Sequence, residues 1–164
     1  MVDVLLWEWE WACCGEPFAV GDRVEFGVVD ADDGVRELCA PATVPAFVET
    51  HHEREPEFHL SGVVRSVAAL SVAHRVSRVP RAAAAPGNAR FSSPGADWAI
   101  EVRPRPYVLT FERLPATALL SPLSGVRRAV EDDDDEQPLP READPADGEI
   151  RRHVEGYLVT IDEG

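Results

Sequence analysis

The block at 7–26 constrains the fold of this chain more than any other stretch. It holds three of the four tryptophans and two of the three cysteines. Trp7, Trp9 and Trp11 alternate with glutamates, and this two-residue period is typical of a β-strand. Gly21 then marks a turn that leads into a second alternating run. We therefore expect a strand with one aromatic face, followed by a turn and another strand.

The rest of the chain repeats this pattern of short apolar runs and turns. Glycine, proline and aspartate interrupt it so often that only 116–130 suggests a helix, and 32–34 is predicted to form a hairpin turn. Six segments have the length and composition of strands: Val2–Trp11, Arg23–Val28, Gly62–Leu70, Trp98–Val102, Tyr107–Phe111 and Ile150–Ile161. We predict a mainly all-β fold, a small partly open β-barrel of SH3-like or OB-like type with at most one short helix.

The length of 164 residues predicts one domain with two irregular segments. Residues 81–97 combine an alanine run with prolines and glycines, which indicates a mobile loop. Residues 131–149 carry −9 of the formal net charge of −14, which predicts a disordered acidic insertion because so few apolar groups cannot offset the chain entropy. The remainder is only mildly acidic, so binding to nucleic acid is not expected.

The N-terminus has no basic leader and no long apolar run, and no later run could cross a membrane. Three cysteines, two of them adjacent, do not form a disulfide framework. These observations predict a cytoplasmic protein without a membrane association.

The N-terminal motif Trp-x-x-x-Cys-Cys-Gly-x-Pro-Phe-x-Val-Gly-Asp-x-Val, which starts at Trp9, resembles the signature of an uncharacterised actinobacterial protein family. The closing segment Glu155-Gly156-Tyr157-Leu158-Val159 and the central His-His pair before a strand are similar to the same family. The family has no assigned activity, so the resemblance implies a compact domain and no catalytic residues.

Cys13 and Cys14, together with His51 and His52, are weak candidates for a metal site because thiolates and imidazoles are the ligands that zinc prefers. The adjacent spacing argues against it, since neighbouring residues of a strand point to opposite faces. The same groups, with His59 as a further possible base, would serve a thiol enzyme. No phosphate-binding loop or hydrolase signature occurs, so we expect no cofactor, and the sequence favours a binding module over an enzyme.

Tryptophan and arginine dominate the binding energy of many protein interfaces. We therefore predict a binding surface formed by Trp7, Trp9 and Trp11, with Trp9 as the anchor and Arg65 and Arg75 beside it. The leading hypothesis is a non-enzymatic protein- or peptide-interaction module with an unknown protein partner. One alternative is a small metal-dependent or thiol enzyme, and another is an acidic antagonist that masks a basic protein.

Overall fold

The computed structural model describes residues 1–50, 55–81, 89–91, 100–102, 106–127 and 144–163. The prediction of a mainly all-β fold is confirmed, because strands far outweigh helices in this part of the chain. The strands are β1 (Val2–Trp7), β2 (Phe18–Ala19), β3 (Arg23–Asp30), β4 (Phe47–Glu49), β5 (Phe58–Pro80), β6 (Ala89–Phe91), β7 (Ile100–Val102), β8 (Tyr107–Arg113), β9 (Leu119–Leu123), β10 (Gly125–Val126) and β11 (Ile150–Asp162). The helices are α1 (Glu8–Cys14) and α2 (Asp33–Cys39).

The main sheet is organised around the long strand β5. On one side β5 pairs with β3, β9 and β8 in turn, and on the other side it pairs with β11. β11 also pairs with β1, β1 runs parallel to β4, and β4 returns to β3. These pairings form a cycle of five strands, although the sheet is strongly twisted and is not a clean barrel. The SH3-like or OB-like type therefore stays a prediction.

The largest core cluster comes mainly from the strands of this cycle. Trp11 packs edge-on against Phe18 and Phe26, with ring centroids 5.4 Å and 6.0 Å apart. Such aromatic pairs contribute beyond the area they bury. The buried members of the cluster are Val4, Leu6, Trp11, Phe18, Phe26, Val28, Leu60, Val64, Val67, Val126, Val159 and Ile161.

β1 is buried on both faces because α2 covers the face that points away from this cluster. Val4 and Leu6 belong to the main cluster, whereas Leu5 packs with Cys39 of α2 in a second one. Trp7 touches this second cluster and also a third one, around Val29, Ala31 and Val48. The end of β1 is thus held between the sheet and α2.

The predicted helical content is wrong in number and place. The segment 119–123 is strand β9 and pairs with β5, since Pro122 and Gly125 leave no room for a helix. The predicted aromatic strand ends at Trp7, and Trp9 and Trp11 lie on α1. In a helix, neighbours at spacing four share a face, so Trp9 and Cys13 are exposed while Trp11 is buried.

The predicted hairpin turn at 32–34 is also wrong, because it is the start of α2. The Asp32 carboxylate accepts a hydrogen bond of 2.9 Å from the Val35 backbone N–H, and this caps the helix. The sequence Asp32-Asp33-Gly34 suits either a turn or the start of a helix. The helix forms here, and it buries Cys39 in the second core cluster.

The two predicted irregular segments lie largely outside the described residues. Within 81–97, residues 89–91 form β6, which pairs with β7. Within 131–149, residues 144–149 contact β5: Arg78 donates its backbone N–H to the Asp147 carboxylate and its guanidinium to the carbonyls of Pro145 and Asp144. This end of the segment is thus held against the sheet, and the disordered insertion stays a prediction.

Neither α1 nor α2, the helices of the described residues, has the length and hydropathy to cross a membrane.

Candidate functional site

A cavity of about 460 Å³ opens beside α1, where β1, β3 and β4 end. Its volume falls within the range of roughly 300–1,000 Å³ that is typical of ligand sites. The described residues that line it are Trp7, Trp9, Glu10, Val29, Asp30, Asp32, Val35, Val48, Glu49, Thr50, Arg113 and Glu155. We call this cavity the acidic pocket.

The change from strand to helix after Trp7 builds one wall of the pocket. Trp7 ends β1 on the face towards α2, and the first turn of α1 then places Trp9 and Glu10 on the same wall. Trp9 is 51% exposed, so its indole remains available to a ligand. Val48 and Val35, with Val29, supply the apolar part of the lining.

Five of the lining residues carry a carboxyl group, and one carries a guanidinium. Glu10 and Glu49 are only 2% and 4% exposed, and each interacts with another group of the protein. Asp30 and Asp32 are exposed. The described lining of the pocket therefore contains more acidic than basic side chains.

The fifth carboxyl group, that of Glu155, lies at an irregularity of β11. The pairing of β11 with β5 shifts register between Val154 and Gly156, so Glu155 itself stands outside the regular ladder. Its Oε1 atom is 2.6 Å from Nε2 of His74, and its Oε2 atom accepts a 2.7 Å hydrogen bond from Nη2 of Arg113. The bulge thus directs a nearly buried carboxyl group to two basic side chains.

His74 belongs to an aromatic group behind the pocket and does not line the cavity itself. Its ring meets the edge of the His153 ring at 5.2 Å, and His153 meets Phe111 at 5.5 Å. All three residues lie on the same face of β5, β8 and β11, because residues that pair across a sheet share a face. This packing fixes the imidazole and, through it, the Glu155 carboxyl group.

The structure separates the five residues that the sequence predicted as a binding surface. Trp7 and Trp9 line the acidic pocket, whereas Trp11 is 6% exposed and lies in the main core. Arg65 and Arg75 are not among the lining residues. Arg65 forms a 2.5 Å ion pair with Asp162, and Arg75 lies 3.7 Å from Glu112.

The weak metal candidates cannot be assembled from the described residues. Cys13 is exposed on α1, and His51 and His52 lie outside the described part of the chain. Among the described residues, no group of three or more histidine, cysteine, aspartate or glutamate side chains could hold a metal ion. Cys39 is buried, and desolvation raises the pKa of its thiol to about 11, which makes it a poor nucleophile.

Sequence reasoning missed Glu10, Glu49, Arg113 and Glu155 as members of one site. They come from α1, β4, β8 and β11, and only the sheet pairing brings them together. One available signal was Glu49, an acidic residue that directly follows the apolar pair Phe47-Val48. Glu155 belongs to the closing motif, but the sequence does not mark it as a pocket residue, because the position of its carboxyl group depends on a bulge.

Residues 1–163 match a family model described as a family of unknown function (DUF6578). The match supports the resemblance to an uncharacterised family. Neither the curated proteins nor the solved structures contain a significant match to the chain.

Proposed function

The chain belongs to the DUF6578 family of unknown function, and we propose that it is a non-enzymatic interaction module that binds a basic segment of a protein or peptide partner at the acidic pocket. The observation that carries this proposal is the lining of the pocket, with five carboxyl groups against a single arginine. A partner with a complementary positive charge would gain electrostatic energy there, while an acidic partner would be repelled.

Trp9 is the proposed anchor of the interface. Tryptophan side chains contribute strongly to binding when they are exposed in the free protein and become buried in the complex. Trp9 meets the first condition with 51% exposure, and Trp7 continues the aromatic wall inwards. Arg65 and Arg75, each already close to a carboxylate of this chain, are not part of the proposed interface.

The charge of the whole chain supports a related possibility, an acidic antagonist that masks a basic protein. A formal net charge of −14 would attract a basic partner over a distance and speed its association, and salt would screen this effect. The pocket would then serve as the specific contact within a broader electrostatic attraction. Both versions share the prediction that the partner is basic and that nucleic acid is not the ligand.

A reducing cytoplasm as the compartment is a further part of the proposal. Its support is that Cys13 and Cys39 are both free thiols. Buried or exposed, free cysteines persist most readily in a reducing environment.

Site-specific photo-crosslinking in the native host tests the proposed function. A photoreactive amino acid in place of Trp9 should capture a partner with a basic surface. The matched control places the same group at Leu119 on β9, which is 55% exposed and does not line the pocket. Capture from position 9 that falls with added salt supports the proposal. Capture of the same proteins in equal yield from both positions overturns it.

A further inference from the structure

We propose that the acidic pocket selects an arginine side chain of the partner over a lysine side chain. This inference rests on the proposed function and adds the identity of the group that enters the pocket. Three observations support it. The guanidinium of Arg113 already binds a carboxyl group of the pocket, and two tryptophans form an aromatic wall. Two further carboxyl groups of the lining, those of Glu10 and Glu49, are nearly buried.

The first observation is the ion pair between Arg113 and Glu155. Nη2 of Arg113 donates a 2.7 Å hydrogen bond to Oε2 of Glu155. The Arg113 side chain is 57% exposed, whereas that of Glu155 is 11% exposed. The guanidinium therefore approaches the carboxylate from the solvent side, which shows that a planar cation can reach this lining.

The second observation is the aromatic wall. Trp7 and Trp9 both line the cavity, and Trp9 is half-exposed. A guanidinium is planar and weakly hydrated, so it stacks on an indole face while its N–H groups bind carboxylates at its edge. An ammonium group is compact and strongly hydrated, and it gains less from such a wall.

The third observation is the burial of Glu10 and Glu49. Both carboxyl groups line the cavity and are almost inaccessible to solvent, unlike Arg113. A second guanidinium in the pocket would lie near these acids in a poorly hydrated environment, where electrostatic attraction is stronger than at the surface. Arg113 would compete with that ligand because both are positively charged.

Titration of the full chain with three blocked peptides tests the proposal. The peptides are identical except for a central arginine, lysine or citrulline, where citrulline keeps the shape of arginine without its charge. Affinity is measured by calorimetry, and the site is located by the indole N–H signal of Trp9 in NMR, assigned with Trp9→Phe. We expect the arginine peptide to bind about tenfold more tightly than the lysine peptide, a difference of about 1.4 kcal/mol, and citrulline not to bind.

Two variants of lining residues and one control variant test the proposal further. Arg113→Gln removes the competing cation and should increase the affinity for the arginine peptide several-fold. Trp9→Ala should reduce it, and since Trp9 is half-exposed this variant should fold normally. Glu112→Gln, an exposed acid outside the lining, is the control and should bind like the wild type.

The outcomes separate this inference from the proposed function. Equal affinity for the arginine and lysine peptides, with none for citrulline, overturns the arginine selectivity but leaves a basic partner in place. Weaker binding by Arg113→Gln also overturns the inference, because it would make Arg113 part of the recognition. Failure of all three peptides to bind overturns the inference, and the crosslinking at position 9 then decides the proposed function independently.

Discussion

Nε2 of His74 lies 2.6 Å from Oε1 of Glu155, although the two residues are 81 positions apart in the sequence. Both side chains are close to fully buried. The contact joins β5 to the bulge of β11 and leaves the second oxygen of Glu155 for Arg113. The Glu155 carboxyl group thus links the interior of the sheet to the rim of the acidic pocket.

We therefore expect Glu155→Gln to lower the free energy of unfolding. The change weakens a nearly buried hydrogen bond and an ion pair at once, and hydrogen bonds to charged groups contribute about 1.5–3 kcal/mol each. Urea unfolding measures the effect. Glu112→Gln on β8 is the matched control, because its partner Arg75 is 3.7 Å away and both side chains are exposed; its effect should stay below about 1 kcal/mol. Equal effects of the two variants would contradict this assignment.

The two tryptophans of α1 should behave in opposite ways. Trp11→Ala removes a ring from the main core, where it contacts Phe18 and Phe26, and should cost about 3–5 kcal/mol of stability. Trp9→Ala removes a half-exposed ring and should cost much less. Thermal unfolding of the two variants compares them directly. A large loss of stability in Trp9→Ala would show that the exposed indole has a structural role.

Gly156→Ala should destabilise the pairing between β11 and β1. A Cβ atom at this position would collide with the backbone carbonyl oxygen of Leu6, which cannot move without disturbing β1. Gly34→Ala is the control, because its Cβ would meet only the Asp32 side chain, at 3.3 Å, and alanine is the better helix former by about 1 kcal/mol. Denaturant midpoints should fall for Gly156→Ala and stay constant or rise for Gly34→Ala.

Two strands with alternating apolar residues, β3 and β11, were predictable from the sequence. Arg23–Asp30 and Ile150–Asp162 differ from their predicted limits by no more than two residues. Phe26 and Val28 in the first strand, and Gly156 and Leu158 in the second, are buried two residues apart, so the period of two is visible in the sequence. The same reasoning failed at α1, where tryptophan and glutamate also alternate. There Trp9 is exposed and Trp11 is buried, although residues two apart on a strand share a face, and the sequence alone does not show this difference.

The acidic pocket was predictable only in its aromatic wall. The sequence marks Trp7 and Trp9 as candidate binding residues, and both line the cavity. It does not mark Glu49 or Glu155 as pocket residues, because a glutamate in a strand is normally solvated. Their burial depends on the strand ends that meet beside α1 and on the bulge of β11, which are properties of the tertiary structure.

Because the Cys39 thiol is buried, we expect the folded protein to lose stability at alkaline pH. Burial raises the pKa of its thiol in the folded protein to about 11 from 9.0. From about pH 9 upwards the unfolded chain releases this proton first, so the folded state becomes progressively less stable until pH 11. Below pH 9 both states keep the proton, and the thiol has no effect on the pH dependence.

Urea unfolding of the wild type and of Cys39→Ala between pH 8 and 10 isolates this effect. The variant has the smaller core side chain and is less stable at pH 8, but the difference between the two proteins should shrink as the pH rises. A difference that stays constant across this range would show that the thiol does not ionise in the unfolded chain under these conditions or that its pKa is not raised by folding.

Arg78 should be the residue that holds the end of the acidic segment against the sheet. Its guanidinium donates to the carbonyls of Pro145 and Asp144 and lies 4.7 Å from the ring centre of Tyr107, whose hydroxyl donates to the Asp144 carboxylate. Arg78→Lys keeps the charge but cannot donate to two carbonyls in the same geometry, so we expect a loss of about 1–3 kcal/mol.

Replacement of 131–143 by a short glycine-serine linker is the comparison that tests the remaining prediction of disorder. Because the cost of loop closure changes only with the logarithm of loop length, this replacement should leave the thermal midpoint within a few degrees if 131–143 makes no stabilising contact. Arg78→Lys should lower the midpoint further than the linker does. The opposite order would mean that 131–143 contributes more to stability than the contacts of Arg78, and the prediction of a disordered insertion would then be wrong for the whole segment.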